Sequence, residues 1–75
     1  MDEADLIEEI NHQESLLKIQ RRNLRALQLQ IAQHALDVPI HLQTAQEDLS
    51  VEIARLERAI RDLHARLRRV QRRGK

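Results

Sequence analysis

The stretch ALDVPIHL, Ala35 to Leu42, contains the only proline of a 75-residue chain whose single glycine, Gly74, is the next-to-last residue. On either side of it the sequence has the composition and spacing of uninterrupted helix. A proline inside a helix removes a hydrogen bond and clashes with the preceding turn, at a cost of about 3 kcal/mol or more. It also drives the residue before it, here Val38, out of the helical region. In the first turn of a new helix the same residue is well tolerated. The expected organisation is therefore helix one over about Glu3 to Leu36, a tight turn at Asp37 and Val38, and helix two from Pro39 to about Arg73, with Asp37 available as a cap. A later start is also encoded, because TAQE (Thr44 to Glu47) fits a capping box. A single kinked helix is the weaker alternative.

The apolar residues recur in alternating steps of four and three. Before the proline, Ile10, Leu17, Leu24 and Ile31 occupy a positions, and Leu6, Gln13, Gln20, Leu27 and His34 occupy d positions. After it, Gln46, Ile53, Ile60 and Leu67 fall at a, and Leu42, Leu49, Leu56, Leu63 and Val70 at d. Isoleucine at a with leucine at d over several heptads is a coiled-coil signature, and a packed helical hairpin shares it. The fold class expected is all-α, an antiparallel two-helix coiled-coil hairpin. Its seam pairs Ile10 with Leu63, Leu17 with Leu56, Leu24 with Leu49 and Ile31 with Leu42. A slip of one heptad suits the later capping box. His34 at a d position reads as a polar, register-setting layer.

The formal net charge is only +1, yet the charges are sorted. Asp2, Glu3, Asp5, Glu8, Glu9 and Glu14 open the chain without a Lys or Arg among them, and Arg66, Arg68, Arg69, Arg72, Arg73 and Lys75 close it without an acid. Folding back at the proline lays these blocks side by side, and each also suits the dipole of its own helix end. Exposed ion pairs are individually worth about 0–1 kcal/mol, so their expected role is to fix antiparallel orientation.

Several function classes have little to be built from. The chain has no Phe, Trp, Tyr or Cys, so there is neither an aromatic core nor a thiol nucleophile nor a thiolate metal site. His12, His34, His41 and His64 form no pair at the four-residue spacing that puts two ligands on one helical face, and no HExxH motif is present. No metal and no cofactor are expected. The terminal RGK lacks both the earlier glycine and the following Ser or Thr of a phosphate-binding loop. The carboxylates form no pocket-like pair, so the chain is not read as an enzyme. No run approaches the ~20 apolar residues of a membrane span, and the acidic start is unlike a signal peptide, which favours a cytoplasmic setting. The basic end RLRRVQRRGK is the one feature suited to nucleic acid or anionic lipid, but it has no aromatic stacking partners, and Leu67 and Val70 carry the heptad through it.

A two-helix unit buries one stripe per helix, and further apolar residues lie off that stripe. Leu16, Ile19, Ala26, Leu29, Ala32 and Leu36 in the first half, with Ile40, Val51 and Ala59 in the second, form a candidate oligomer interface. A dimer of hairpins, making a four-helix bundle, is the simplest closed solution, and a homotetramer is the next.

The segment LRALQLQIAQHALDVPIHLQTAQEDLSVEIARLERAI, Leu24 to Ile60, resembles the short helical hairpins that precede effector or nucleotide-binding modules in bacterial multidomain signalling proteins. These include NLR-like signal-transduction ATPases and caspase-like proteins. The resemblance rests on LRALQLQIA, the DVPIHL turn and EDLSVEIARLE, about half the chain. It implies a non-catalytic oligomerisation or adaptor element, one domain of a longer protein, whose partners are itself and the same hairpin in other signalling proteins. Members often carry a glycine near the end of helix one, where this chain has Ala35. Two other readings stand beside it: a free-standing hairpin dimer that binds nucleic acid through basic helix faces, and a generic or designed coiled coil.

Overall fold

The computed structural model describes residues 2–74; Lys75 of the basic end lies outside them. Two α-helices, α1 (Glu3–Gln33) and α2 (Ile40–Arg73), pack antiparallel as an all-α hairpin. The hairpin is a rod of 58 × 14 × 14 Å. Its radius of gyration is 17.1 Å, against about 11 Å for a compact chain of this length. Among the described residues the two helices supply the only layer.

Helix α1 starts where its capping chemistry dictates. The Asp2 side chain accepts a hydrogen bond from the Asp5 backbone N–H at 2.9 Å, and Glu3 and Asp5 place negative charge in the first turn. At the other end of the chain, Arg72 and Arg73 lie in the last turn of α2, where positive charge suits the helix dipole.

The reversal is wider than a two-residue turn. Helix α1 ends at Gln33, three residues before Leu36, and the connection occupies residues 34–39. The last turn tightens, with the His34 N–H donating to the Ile31 carbonyl at 3.1 Å and the Ala35 N–H to the Ala32 carbonyl at 3.4 Å. Ala35 then adopts φ +56°, the left-handed conformation in which helices commonly end and which glycine usually supplies. The Asp37 N–H returns to the His34 carbonyl at 3.1 Å, and Pro39 (φ −58°, ψ 144°) sits just ahead of α2. Two expectations are corrected here. His34 is exposed and closes α1, so it forms no polar layer in the seam. Asp37 does not cap α2, whose N-cap position is Pro39 with no side-chain cap. The Pro39 carbonyl accepts instead from the N–H groups of Leu42 (3.1 Å) and Gln43 (3.3 Å), and the Gln43 side-chain amide donates to the Val38 carbonyl at 3.1 Å. Helix α2 thus begins at the proline and not at the later TAQE box.

Along the seam, Leu6, Ile10, Leu17, Leu27, Ile53, Leu56 and Leu63 are buried, and Leu24, Ile31, Leu42, Leu49, Ile60, Leu67 and Val70 are half-buried. Two clusters form. Leu6, Ile10 and Leu63 pack with Leu67 and Val70, while Leu17, Ile53 and Leu56 pack with Leu16, Leu24 and Ile60. Ile10 therefore shares a cluster with Leu63 and Leu17 with Leu56; a one-heptad slip would bring Leu17 to Leu63, and these lie in different clusters. The first cluster lies near the helix ends at residues 3 and 73, and the second at the middle of the rod. Toward the turn, Leu27 is the only buried one of the described residues.

Two expected outcomes test this geometry. A left-handed residue other than glycine costs about 1–2 kcal/mol, offset for a glycine replacement by about 0.5–1 kcal/mol of extra unfolded-state entropy. Ala35→Gly should therefore raise stability by up to about 1 kcal/mol in denaturant titrations at fixed protein concentration, and Ala35→Val should lower it. Cysteines at Leu17 and Leu56 should form a disulfide within one chain under mild oxidation, while cysteines at Leu17 and Leu63 should not. The reverse preference would mean the register is slipped.

Candidate functional site

A rod one helix pair thick has no interior in which to enclose a ligand, so every candidate site is a surface. Among the described residues no polar or charged side chain is buried, and no group of His, Asp and Glu side chains is placed to hold a metal ion. No helix among the described residues is long and apolar enough to cross a membrane.

The candidate interface residues divide in two. Leu16 and Ala59 are partly buried, and Leu16 packs against the Leu17–Ile53–Leu56 cluster, so it belongs to the hairpin itself. Ile19, Ala26, Leu29, Ala32, Leu36, Ile40 and Val51 are exposed. The most exposed large side chains gather toward the turn: Leu36 at 104%, Ile40 at 79% and Leu29 at 65%. Ile7, at 43%, is an exposed apolar residue outside the expected set. Its signal was its place beside Leu6, one residue off the seam.

The charges are arranged in blocks that the hairpin superimposes. Helix α1 runs from acidic (Asp2 to Glu14) through basic (Lys18, Arg21, Arg22, Arg25) to uncharged (Ala26 to Gln33). Helix α2 read backwards runs from basic (Arg73 to Arg66) through mixed (Asp62 to Glu47) to a stretch without acids, Lys or Arg (Gln46 to Ile40). Contacts between the helices follow this plan in part. Arg21 Nη2 pairs with Glu57 Oε2 at 3.1 Å, His64 Nε2 lies 3.4 Å from Glu14 Oε1, and Gln71 Nε2 donates to Glu3 Oε1 at 3.3 Å.

The acidic start and the basic end lie side by side without close ion pairs between them. Among the described residues, none of Arg66, Arg68, Arg69, Arg72 and Arg73 lies within ion-pair distance of an acid. Arg66, Arg69 and Arg73 flank a shallow crevice floored by Leu6 and Val70, while Asp5, Glu8, Glu9 and His12 line another. Glu9 and Arg66 border a common groove with Leu63, so the two blocks face each other across water. A second, mainly basic groove follows Lys18, Arg21, Arg22 and Arg25 above Leu17 and Ile60, with Glu14 at one end.

Compared with protein-family models, curated proteins and solved structures, the chain finds no match to any of them. Its class is therefore defined by its own geometry: an all-α antiparallel helical hairpin with an exposed apolar end and no enclosed site among the described residues.

A double-mutant cycle separates pairing from diffuse attraction. Arg21→Gln with Glu57→Gln should give a coupling of about 0.2–1 kcal/mol that shrinks in high salt. Arg69→Gln with Asp5→Asn should give a coupling indistinguishable from zero.

Proposed function

We propose that the chain is a non-catalytic oligomerisation or adaptor module of a larger bacterial signalling or defence protein, bringing attached domains together by helix packing. The observation that carries this reading is the set of large aliphatic side chains left in solvent, Leu29, Leu36, Ile40 and Val51 among them, on a hairpin too thin to bury them itself. Neighbouring solvent-exposed aliphatics are used by association, and a second helix pair is the partner that matches their helical spacing. The link to bacterial signalling proteins rests on the likeness of Leu24 to Ile60 to their hairpins and on nothing else.

The basic groove along Lys18 to Arg25 supports a second reading, a hairpin that binds nucleic acid through helix faces. One pair of measurements separates the two. Light scattering after size exclusion should give the mass of two or four chains at micromolar concentration, and binding to DNA or RNA should be weak and lost by about 0.2 M salt, as for non-specific charge contacts. A helical, cooperatively melting monomer overturns the assembly reading. Submicromolar nucleic-acid binding at that salt, abolished by Arg→Gln changes in the groove without loss of helix, puts the second reading in its place.

A further inference from the structure

Between Arg25 and Glu47 the only Asp, Glu, Lys or Arg is Asp37, in a stretch that forms the turn and the adjoining helix ends. The same end of the rod holds the most exposed aliphatic side chains, Leu36, Ile40 and Leu29, and only one buried seam residue, Leu27. Even the helix termini carry no charge there: α1 has no basic residue in its last turn and α2 no acidic residue in its first. The opposite partial charges of these two termini lie side by side and offset each other. The tip is thus apolar, incompletely packed and poor in charge, with Asp37 its one acid, whereas the rest of the rod is acidic over Asp2 to Glu14, basic over Lys18 to Arg25 and Arg66 to Arg73, and mixed over Glu47 to Asp62.

We infer that the tip is the docking surface and that its occupant is the tip of a second copy of this chain. The inference rests on the proposed assembly role and names the surface that performs it. The reason is symmetry. In a two-fold dimer a surface patch meets its own copy, so a patch carrying a block of one sign would face the same sign. The acidic start of α1 and the basic stretches at Lys18 to Arg25 and Arg66 to Arg73 are each unfit for self-contact, and the charge-poor tip is fit for it. A partner recognised by its charge would instead engage the blocks. Gln28, Gln30 and Gln33, exposed along the last turns of α1, supply uncharged hydrogen-bonding groups in the same stretch. The helix ends at residues 3 and 73 lie together at the opposite end, as the Glu3–Gln71 contact shows, so a dimer formed through the tip leaves them clear of the contact and free to carry attached domains into one assembly.

Leu29 and Leu36 are exposed in the single hairpin, so Leu29→Glu with Leu36→Glu should keep the helical circular dichroism and reduce the mass by light scattering from two chains to one. Ile19→Glu, placed among the charge blocks, should leave the dimer intact. Cysteine at Leu36 should form a disulfide between chains, and cysteine at Gln71 should not. Persistence of the oligomer in the Leu29/Leu36 variant, dissociation by Ile19→Glu, or crosslinking at Gln71 in place of Leu36 overturns the tip as docking surface and leaves the assembly role standing. A monomeric unmodified chain overturns both.

Discussion

One backbone constraint governs this molecule: Pro39 has no N–H to donate, and its ring disfavours helical geometry at Val38. Helix α1 ends short of that point, at Gln33, and helix α2 begins directly after it, at Ile40. Everything else follows from the forced reversal. The seam exists because two heptad stripes that would otherwise point along one long helix are turned to face each other. The charge blocks become complementary because the reversal superimposes them in opposite order. The exposed tip exists because the chain, in turning, leaves aliphatics such as Leu36 and Ile40 on the outside of the bend.

The orientation of the hairpin is fixed by many weak terms. Close pairs such as Arg21 with Glu57 are solvent-exposed and individually worth about 1 kcal/mol or less. The basic end faces the acidic start without touching it, so that attraction acts through water and is screened by salt. Its value lies in what it excludes. A parallel pairing of two α1 helices would set acid against acid over residues 2–14, and like charges in register are destabilising by amounts similar to the gains of opposite ones. Aliphatic packing supplies cohesion, while charge selects among the arrangements that packing alone allows.

The helices and the seam were legible in the sequence because heptad spacing is a direct image of which face of a helix is buried. The aliphatic seam positions, from Leu6 to Val70, are all buried or half-buried. The end of α1 was not legible. The heptad phase continues through His34, and Leu36 looks like one more turn of helix, whereas the backbone has already left helical geometry through a left-handed Ala35. Glycine at that position would have signalled the stop; alanine conceals it. The charge contacts were half legible, since block composition shows which segments attract but not which long side chains meet. The candidate interface is diluted by counting every off-seam apolar residue equally, Leu16 among them, when burial separates those the hairpin covers from those it leaves in water. The family likeness over Leu24 to Ile60 carries less than its length implies. A leucine-rich helix, a proline turn and an acidic, isoleucine-bearing restart are what any charged hairpin needs, so those features arise from physical necessity as readily as from descent.

The same thinness that removes any enclosed site also makes this fold suited to association. A chain that forms a single helix pair leaves much of its seam, Leu24, Leu42, Leu49 and Leu67 among it, only half-buried, and no rearrangement within the pair closes it. Aromatic residues would add burial per residue, but the chain has none, and its cohesion rests on aliphatic contacts whose number is limited by the 14 Å width of the rod. Adding a second hairpin at the tip covers aliphatics that the first cannot reach, where Leu27 alone is buried and where Asp37 is the one acid among residues 26–46, which include no Lys or Arg. Adding it over the charged half instead would strip water from arginines and carboxylates that lack close partners, a cost that weak surface pairs do not repay. The distribution of charge along the rod therefore gives its two halves different roles. On the tip-docking proposal, the charged part specifies how the chain folds back on itself, and the charge-poor tip, residues 26–46, is the part that meets a second copy.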